Sequence, residues 1–283
     1  MDRHQRVRYK FTISDQIKIS SGVPQGSVLG PYIFNSFVGD LHFPWTNIKS
    51  YRYADDVTLL ISYNKSRTPN LNEIMDYFKR WCDLKQLKIN ESKTKIMNIN
   101  TSKSVNNFLL ANDENTYADQ IKILGVIFNK QLKWNAYCDS IIKKATSRLY
   151  VLRTMKNFIY KDELICIYNS LIRSIIEYAS EILLNTDLNV INKLESAQNK
   201  AHKIICGPWC KNECLQNISE RRVRHANELF NTILNNQSHL LHHILPVKSP
   251  RSERLIIPYC RTNRLLKSFI VSSAIEYNKN IIN

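Results

Sequence analysis

Eleven residues constrain this chain more than any others: Tyr51-Arg52-Tyr53-Ala54-Asp55-Asp56-Val57-Thr58-Leu59-Leu60-Ile61. Two adjacent carboxylates sit between a short aromatic run and a β-branched, apolar run, and both flanks favour strand. The pair therefore marks the tip of a tight β-hairpin. Successive strand side chains point to opposite faces, so Asp55 and Asp56 do not both aim into one site. One is expected to be a direct metal ligand and the other a supporting or turn residue. A carboxylate on a rigid hairpin suits Mg²⁺, a hard cation that keeps waters and takes few protein ligands. Read alone, the pair is more simply a solvated turn, since Asp-Asp pairs usually end up in loops.

Length and charge narrow the partners. A chain of 283 residues buries a sizeable core, as one large domain or two of ordinary size. Its 43% hydrophobic content excludes a disordered protein. Forty Lys and Arg against 24 Asp and Glu leave a net charge of +16. That excess points to nucleic acid first and an anionic membrane second. No apolar run reaches the length of a membrane span and none forms a secretory signal core, so membrane and secreted readings are weak. The expected location is intracellular, in nucleus or cytoplasm. Seven cysteines, an odd number, suggest free thiols in a reducing compartment.

Upstream of the hairpin, residues 1 to 10 are basic and offer no core of their own. Phe11, Ile13, Ile17 and Ile19 alternate with polar positions, which predicts a half-buried strand over Phe11 to Ile19. Gly22-Val23-Pro24-Gln25-Gly26-Ser27-Val28-Leu29-Gly30-Pro31 then forces a shaped loop, with Pro31 suited to the first turn of a helix. That helix is expected to bury Ile33, Phe34, Phe37, Val38 and Leu41. A strand, a glycine loop and a helix let backbone approach phosphates or bases closely. The spacing lacks the lysine of a Walker phosphate loop.

The Ser21 to Pro31 block, followed after a short helix by Tyr53-Ala54-Asp55-Asp56, resembles the reverse transcriptase of non-LTR, LINE-type (jockey-like) retrotransposons. The resemblance implies a fold and a division of labour. The fold is α+β: a partial polymerase palm, an antiparallel sheet with packed helices, then an all-α thumb and a helical tail. Asp55 binds the metal and Asp56 supports it, with Mg²⁺ (or Mn²⁺) as cofactor. Gly22, Pro24, Gln25 and Gly26, with Tyr53, position template and incoming nucleotide. The implied partners are an RNA template, a DNA primer and deoxynucleoside triphosphates.

The resemblance continues downstream. Leu71, Ile74, Met75, Phe78, Trp81 and Cys82 recur at helical spacing over Leu71 to Leu87, as the palm helix after the hairpin. Leu87 to Met97 is similar to the family's next block, where Lys93 matches a lysine near the triphosphate. A solvated charge is the other reading of Lys93. Thr101 to Ser104 begin a polar stretch that ends a strand. Ile121 to Phe128 looks like the primer-grip strand, with Leu124, Gly125 and Val126 as the grip.

From Asn135 the period changes from about 2 to about 3.6 residues. Ile141, Ile142, Ala145, Leu149, Leu152 and Met155 make one helix face. Lys143, Lys144, Arg148, Arg153 and Lys156 decorate the rest without an intervening acid, which favours phosphate contact over a merely solvated face. Asp162 is expected to cap a helix through Leu184 with Leu164, Ile167, Leu171, Ile175 and Tyr178 inward. Asp187 caps another, from Leu188 to Cys206, ended by Gly207-Pro208. The expected divisions are 1–134 palm, 135–206 thumb and 207–283 basic helical region. His202, Cys206, Cys210 and Cys214 are four apart, but Gly207 and Pro208 break the helix that would align them on zinc.

The family's other metal-binding aspartate lies on a strand upstream of the Gly-Val-Pro-Gln block. Only 21 residues precede Gly22, and Asp2 and Asp15 lack the matching context. The expectation is a carboxy-terminal part of the enzyme, without the fingers and unable to polymerise alone. The competing expectation is a non-catalytic, basic nucleic-acid-binding remnant.

Overall fold

The computed structural model describes residues 3–19, 22–24, 26–63, 70–99, 117–184, 186–207 and 215–281. These group into two compact units, one ending at Thr94 and the other beginning at Lys95. Together they mix helices with small antiparallel sheets, an α+β composition. Among the described residues each sheet has two strands.

The first unit opens with a ribbon rather than a single strand. Strands β1 (Arg3–Gln5) and β2 (Arg8–Tyr9) turn at Lys10-Phe11 and return as β3 (Thr12–Ile13) and β4 (Ile17–Ile19). Lys10 adopts a left-handed φ of 52° to close it. The half-buried strand expected over Phe11 to Ile19 is thus corrected: Phe11, Ile13 and Ile17 are all exposed. Alternation gave the extended backbone, but burial needs a facing layer, and a two-stranded ribbon supplies none. Helix α1 (Gly30–Phe37) starts with Pro31 in its first turn, as expected. Its apolar stripe is only partly covered: Val38 and Leu41 are buried, whereas Ile33 and Phe37 are exposed.

Strands β5 (Ile48–Tyr53) and β6 (Asp56–Ile61) form the predicted hairpin, and α2 (Leu71–Leu84) follows. Asn70 caps α2, its side chain accepting from the Glu73 N–H at 3.3 Å. The helix buries Ile74 and Cys82 and meets Phe43 and Trp45 through Tyr77 and Phe78. Lys85 ends it by pairing with Asp40 at 2.8 Å while lying over the Phe37 and Trp81 rings.

The second unit carries the larger core. Strands β7 (Gln120–Ile123) and β8 (Val126–Asn129) turn at Leu124-Gly125, so the strand expected over Ile121 to Phe128 is a hairpin. Both turn residues have positive φ, 47° and 86°, a backbone that X-Gly sequences favour. Helix α3 (Asn135–Met155) buries Ile141, Ala145, Leu149 and Leu152 on the expected face. The change of period at Asn135 marks the start of this helix, while the packing boundary falls forty residues earlier, at Thr94.

The next helix departs from expectation. Tyr160, not Asp162, is the N-cap, and its N–H is held by the Glu163 carboxylate at 2.9 Å. Helix α4 (Lys161–Tyr168) passes into a π-helical turn, Asn169–Arg173, then α5 (Ser174–Ile176), and Ala179 breaks the run with φ of 53°. The wider π turn brings positions four apart into line. Leu164, Tyr168, Ile172 and Ile176 are therefore the buried row; Ile167, Leu171 and Ile175 pack half-buried beside it, and Tyr178 is half exposed.

Helix α6 (Leu188–Cys206) has Asp187 at its N-cap and Gly207, φ 86°, at its C-cap. Its Gln198 is buried, accepting from Tyr168 at 2.7 Å and donating to the Gln216 carbonyl at 2.8 Å. Helix α7 (Ile218–Asn235) then packs on α9 (Phe269–Asn280), beyond the short α8 (Asn263–Leu266), around Phe230, Leu255 and Ala274. The Asn278 amide brackets both backbone groups of Leu255 at 2.8 Å. Cys82, Cys138, Cys166, Cys206 and Cys260 are free thiols; Cys210 and Cys214 lie outside the described residues.

Candidate functional site

The hairpin closes with Tyr53 opposite Asp56, leaving Ala54 and Asp55 as the turn. Ala54 has φ of 50°, a conformation that costs an L-residue about 1–2 kcal/mol. Asp56 is the first residue of β6 and, as the cross-strand partner of Tyr53, shares a face with Tyr53 and Tyr51. Arg52 points the other way, and its guanidinium donates to the Val38 carbonyl at the end of α1. The tip is thus moored on one side and open on the other. Both carboxylates are exposed.

Two exposed carboxylates are the oxygen donors that Mg²⁺ takes when substrate phosphates and water complete its shell. They fit that ion as a partial ligand set. Among the described residues no third His, Cys, Asp or Glu joins them in a metal-sized cluster.

The glycine loop is built on its own backbone. Gly22 and Gly26 have φ of 85° and 82°, and a Cβ at either would meet nothing within 4 Å. Positive φ rather than crowding is what demands glycine there. The Ser27 N–H reaches the Pro24 carbonyl and the Gly30 N–H the Ser27 carbonyl, each at 3.3 Å, folding the loop onto the start of α1. Gln25 lies outside the described residues. Lys93 sits in the turn after α2, its N–H held by the Asn90 side chain at 3.2 Å and its ammonium in solvent. Among the described residues no hydrogen bond or ion pair joins Lys93 or the glycine loop to the Asp55-Asp56 tip.

The remaining candidates belong to the second unit. Tyr178 closes over the Leu124-Gly125 turn: its hydroxyl donates to the Leu124 carbonyl at 2.7 Å, and its ring lies 3.5 Å from where a Gly125 Cβ would stand. Tyr137 in turn donates to the Tyr178 carbonyl at 3.0 Å. The neighbouring Glu177 takes a two-pronged bond from Arg221 of α7. Val126 is buried beneath the turn. Residues 177 and 178 therefore tie the hairpin to the helices, a role that helical spacing alone cannot reveal.

The basic residues on α3, Lys143, Lys144, Arg148 and Arg153, are all exposed. Arg148 donates to the Leu171 carbonyl at 2.9 Å, satisfying a group of the π turn. Tyr150, on the outer face between Lys143 and Arg153, went unremarked in the sequence, as did Phe158 and Tyr160 just beyond the helix. All three are exposed. For Tyr150 the available signal was its position opposite the Ile141-to-Leu152 stripe.

Comparison with known proteins bears on both units. The sequence model of the reverse transcriptase (RNA-dependent DNA polymerase) family matches residues 3–128. The chain is 26% identical over 280 residues to a probable RNA-directed DNA polymerase from transposon BS of Drosophila melanogaster, covering 88% of this chain and 30% of that protein. It is 27% identical over 216 residues to the RNA-directed DNA polymerase from mobile element jockey of the same fly, covering 71% of this chain and 23% of that protein. The jockey polymerase of Drosophila funebris is 25% identical over 276 residues, covering 88% and 29%. The chain therefore spans about 30% or less of the length of these curated relatives. No solved structure matches. Among the described residues no helix is long and apolar enough to cross a membrane.

Proposed function

We infer that this chain, whose residues 3–128 are a segment of the reverse transcriptase family of non-LTR transposons, serves RNA-directed DNA synthesis. The observation that carries the reading is the Asp55-Asp56 hairpin tip, moored by Arg52 and open to solvent. Residues 1–134 act as palm, 135–206 as thumb, and 207–283 as a basic helical extension. Asp55, at the turn, is the metal-binding carboxylate, and Asp56, fixed in the β6 ladder, supports it. Asp55, with Asp56 in support, would hold a divalent cation, Mg²⁺ or Mn²⁺, which would supply charge stabilisation for nucleotidyl transfer.

The other residues position the reactants. Gly22, Pro24, Gln25, Gly26 and Tyr53 face the template and the incoming deoxynucleoside triphosphate. Lys93, free in solvent, reaches toward the triphosphate as a mobile cation. Leu124, Gly125 and Val126, rigidified by Tyr178, grip the DNA primer. Lys143, Lys144, Arg148 and Arg153 contact the phosphates of the nucleic-acid backbone. A reaction that depends on positioning loses rate steeply when one of these supports shifts.

A second reading has its own observation. Two carboxylates without a third metal-ligating side chain among the described residues make half of a two-metal centre. On that reading the +16 chain is a nucleic-acid clamp without chemistry. Primer extension with purified chain, a primed RNA template, all four deoxynucleotides and Mg²⁺ or Mn²⁺ separates the two. Product that disappears in Asp55→Ala supports the enzyme. No product, together with a mobility shift indifferent to Asp55→Ala, supports the clamp.

A further inference from the structure

At the end of α3 three aromatic side chains stand in solvent that neither the hairpin tip nor the grip uses. Tyr150, Phe158 and Tyr160 expose 70%, 78% and 83% of their surface. Among the described residues none of these rings packs on another ring, and the Tyr150 hydroxyl has no hydrogen-bond partner. The backbone beneath them is fixed. Phe158 and Ile159 donate to the Met155 carbonyl at 2.9 and 3.3 Å, Tyr160 donates to Glu163 at 2.9 Å, and half-buried Ile159 packs into the core. The rings are therefore displayed on a rigid corner rather than on a loose loop, which reduces the ordering needed on binding.

Charge surrounds them. Lys143 precedes Tyr150 by seven residues, about two helical turns, and Arg153 follows it by three, so the three share the outer face of α3. From Ser140 to Lys161 the sequence holds Lys143, Lys144, Arg148, Arg153, Lys156 and Lys161 and no acid, with exposed Asp139 before this run and exposed Asp162 and Glu163 after it, Glu163 being engaged by the Tyr160 N–H. A partner for this corner must be anionic along its length and must offer flat, unshielded π faces. Unpaired nucleic acid has both properties. A duplex keeps its base faces stacked on each other, and an acidic peptide offers few such faces.

We propose that the α3–α4 corner is a stacking platform for single-stranded nucleic acid, with Tyr150, Phe158 and Tyr160 receiving unpaired bases and Lys143 and Arg153 holding the phosphates between them. The proposal rests on the nucleic-acid reading above and adds the strand state: this corner takes unpaired template or primer rather than the paired duplex.

Fluorescence anisotropy of the full chain against three labelled probes tests it: an oligothymidylate, an abasic sugar–phosphate oligomer of the same length, and a blunt duplex. Stacking on several aromatics favours the base-bearing strand over the abasic one by about tenfold or more. Combined Tyr150→Ala, Phe158→Ala and Tyr160→Ala lowers oligothymidylate affinity to the abasic level, with the salt dependence unchanged because the cations are untouched. Tyr150→Phe with Tyr160→Phe keeps the rings and binds as the parent chain. Equal affinity for base-bearing and abasic strands overturns the platform, and so does a triple variant that binds oligothymidylate normally. The first comparison needs no variant, so it decides the matter even if the triple variant misfolds. Binding to none of the probes defeats the nucleic-acid reading itself, whereas tight but base-indifferent binding defeats only the platform.

Discussion

Replacing Arg222 by methionine should make this protein more stable. Arg222 lies on α7 with 3% of its surface exposed, and Nε, Nη1 and Nη2 all lack a hydrogen-bond partner. Burial pushes its pKa down, opposed by the charges of Glu195 and Glu177 and the nearby Cys138 and Tyr137. A base with a depressed folded-state pKa costs stability wherever it stays protonated, so the penalty persists at neutral pH. Those two acids do not depend on it. Glu177 is answered by Arg221, and Glu195 accepts the Ile218 and Ser219 N–H groups at 2.9 and 3.2 Å. Methionine has similar reach and no polar atoms to leave unpaired. Exchanging a buried, poorly satisfied ion for a packed apolar side chain is worth roughly 1–3 kcal/mol. For a unit of this size that raises the thermal midpoint by about 2–10 °C. Urea unfolding at neutral pH, followed by far-UV circular dichroism, measures it. Arg222→Ala removes the same charge but leaves a cavity, so it should fall below the methionine variant by about 1–3 kcal/mol. A loss of more than about 1 kcal/mol in Arg222→Met would refute the reasoning, because it would mean the guanidinium is paired in solution.

Two further outcomes test the second unit. Tyr178→Phe keeps the ring against Gly125 but removes the 2.7 Å bond to Leu124, and should cost about 0.5–1.5 kcal/mol. Amide exchange should quicken across Val126–Asn129 more than in α6; uniform change would show that the hydroxyl does not hold the hairpin. Alkaline pH should loosen the same core, since burial pushes Tyr137 and Tyr168 up to about 12 and Cys138 up to about 11. These acids bind protons more tightly folded than unfolded. Their contribution is therefore complete below the unfolded values of about 9–10 and is lost as pH rises through the folded ones. Each is worth about 2–3 kcal/mol, so urea midpoints should fall steeply between about pH 9 and 12; a flat profile would contradict the burial.

The elements legible in the sequence were those whose pattern matched their final surroundings. The β5–β6 hairpin followed from the aromatic and β-branched flanks of Asp55-Asp56, α3 from a stripe that does face a core, and α6 from its end signals at Asp187 and Gly207. The failures have particular causes. The amino-terminal ribbon alternates correctly but has no layer to alternate against, so Phe11 and Ile17 read as inward and stand in solvent. The Leu124-Gly125 turn was hidden inside the largely apolar run Ile121 to Phe128, where the positive φ pair distinguishes a hairpin from a long strand. The π turn at Asn169–Arg173 shifted the buried row to Tyr168, Ile172 and Ile176, and no propensity marks such an insertion. At the site, residue types were readable and their gathering was not. Among the described residues Lys93 and the glycine loop fold on their own backbones without a bond to the tip, and Tyr178 acts through a hydroxyl that spacing had assigned to the core.

If Asp55 and Asp56 hold a cation as proposed, their exposure dictates how the site would work. A buried carboxylate pair would repel and raise its own pKa, and would need a resident cation to stay charged. Two carboxylates at an open tip stay solvated and have little reason to order an ion by themselves. A cation that binds there completes its shell with oxygens from elsewhere, and phosphates are the hard donors a nucleotide brings. On the proposed function, cation and nucleotide would each raise the other's occupancy, because linkage between two ligands is reciprocal. What the fold must contribute is a tip that does not move when they arrive. Arg52 anchored to Val38, the six-residue ladder from Ile48 to Tyr53, and the strained Ala54 turn held by that ladder supply it.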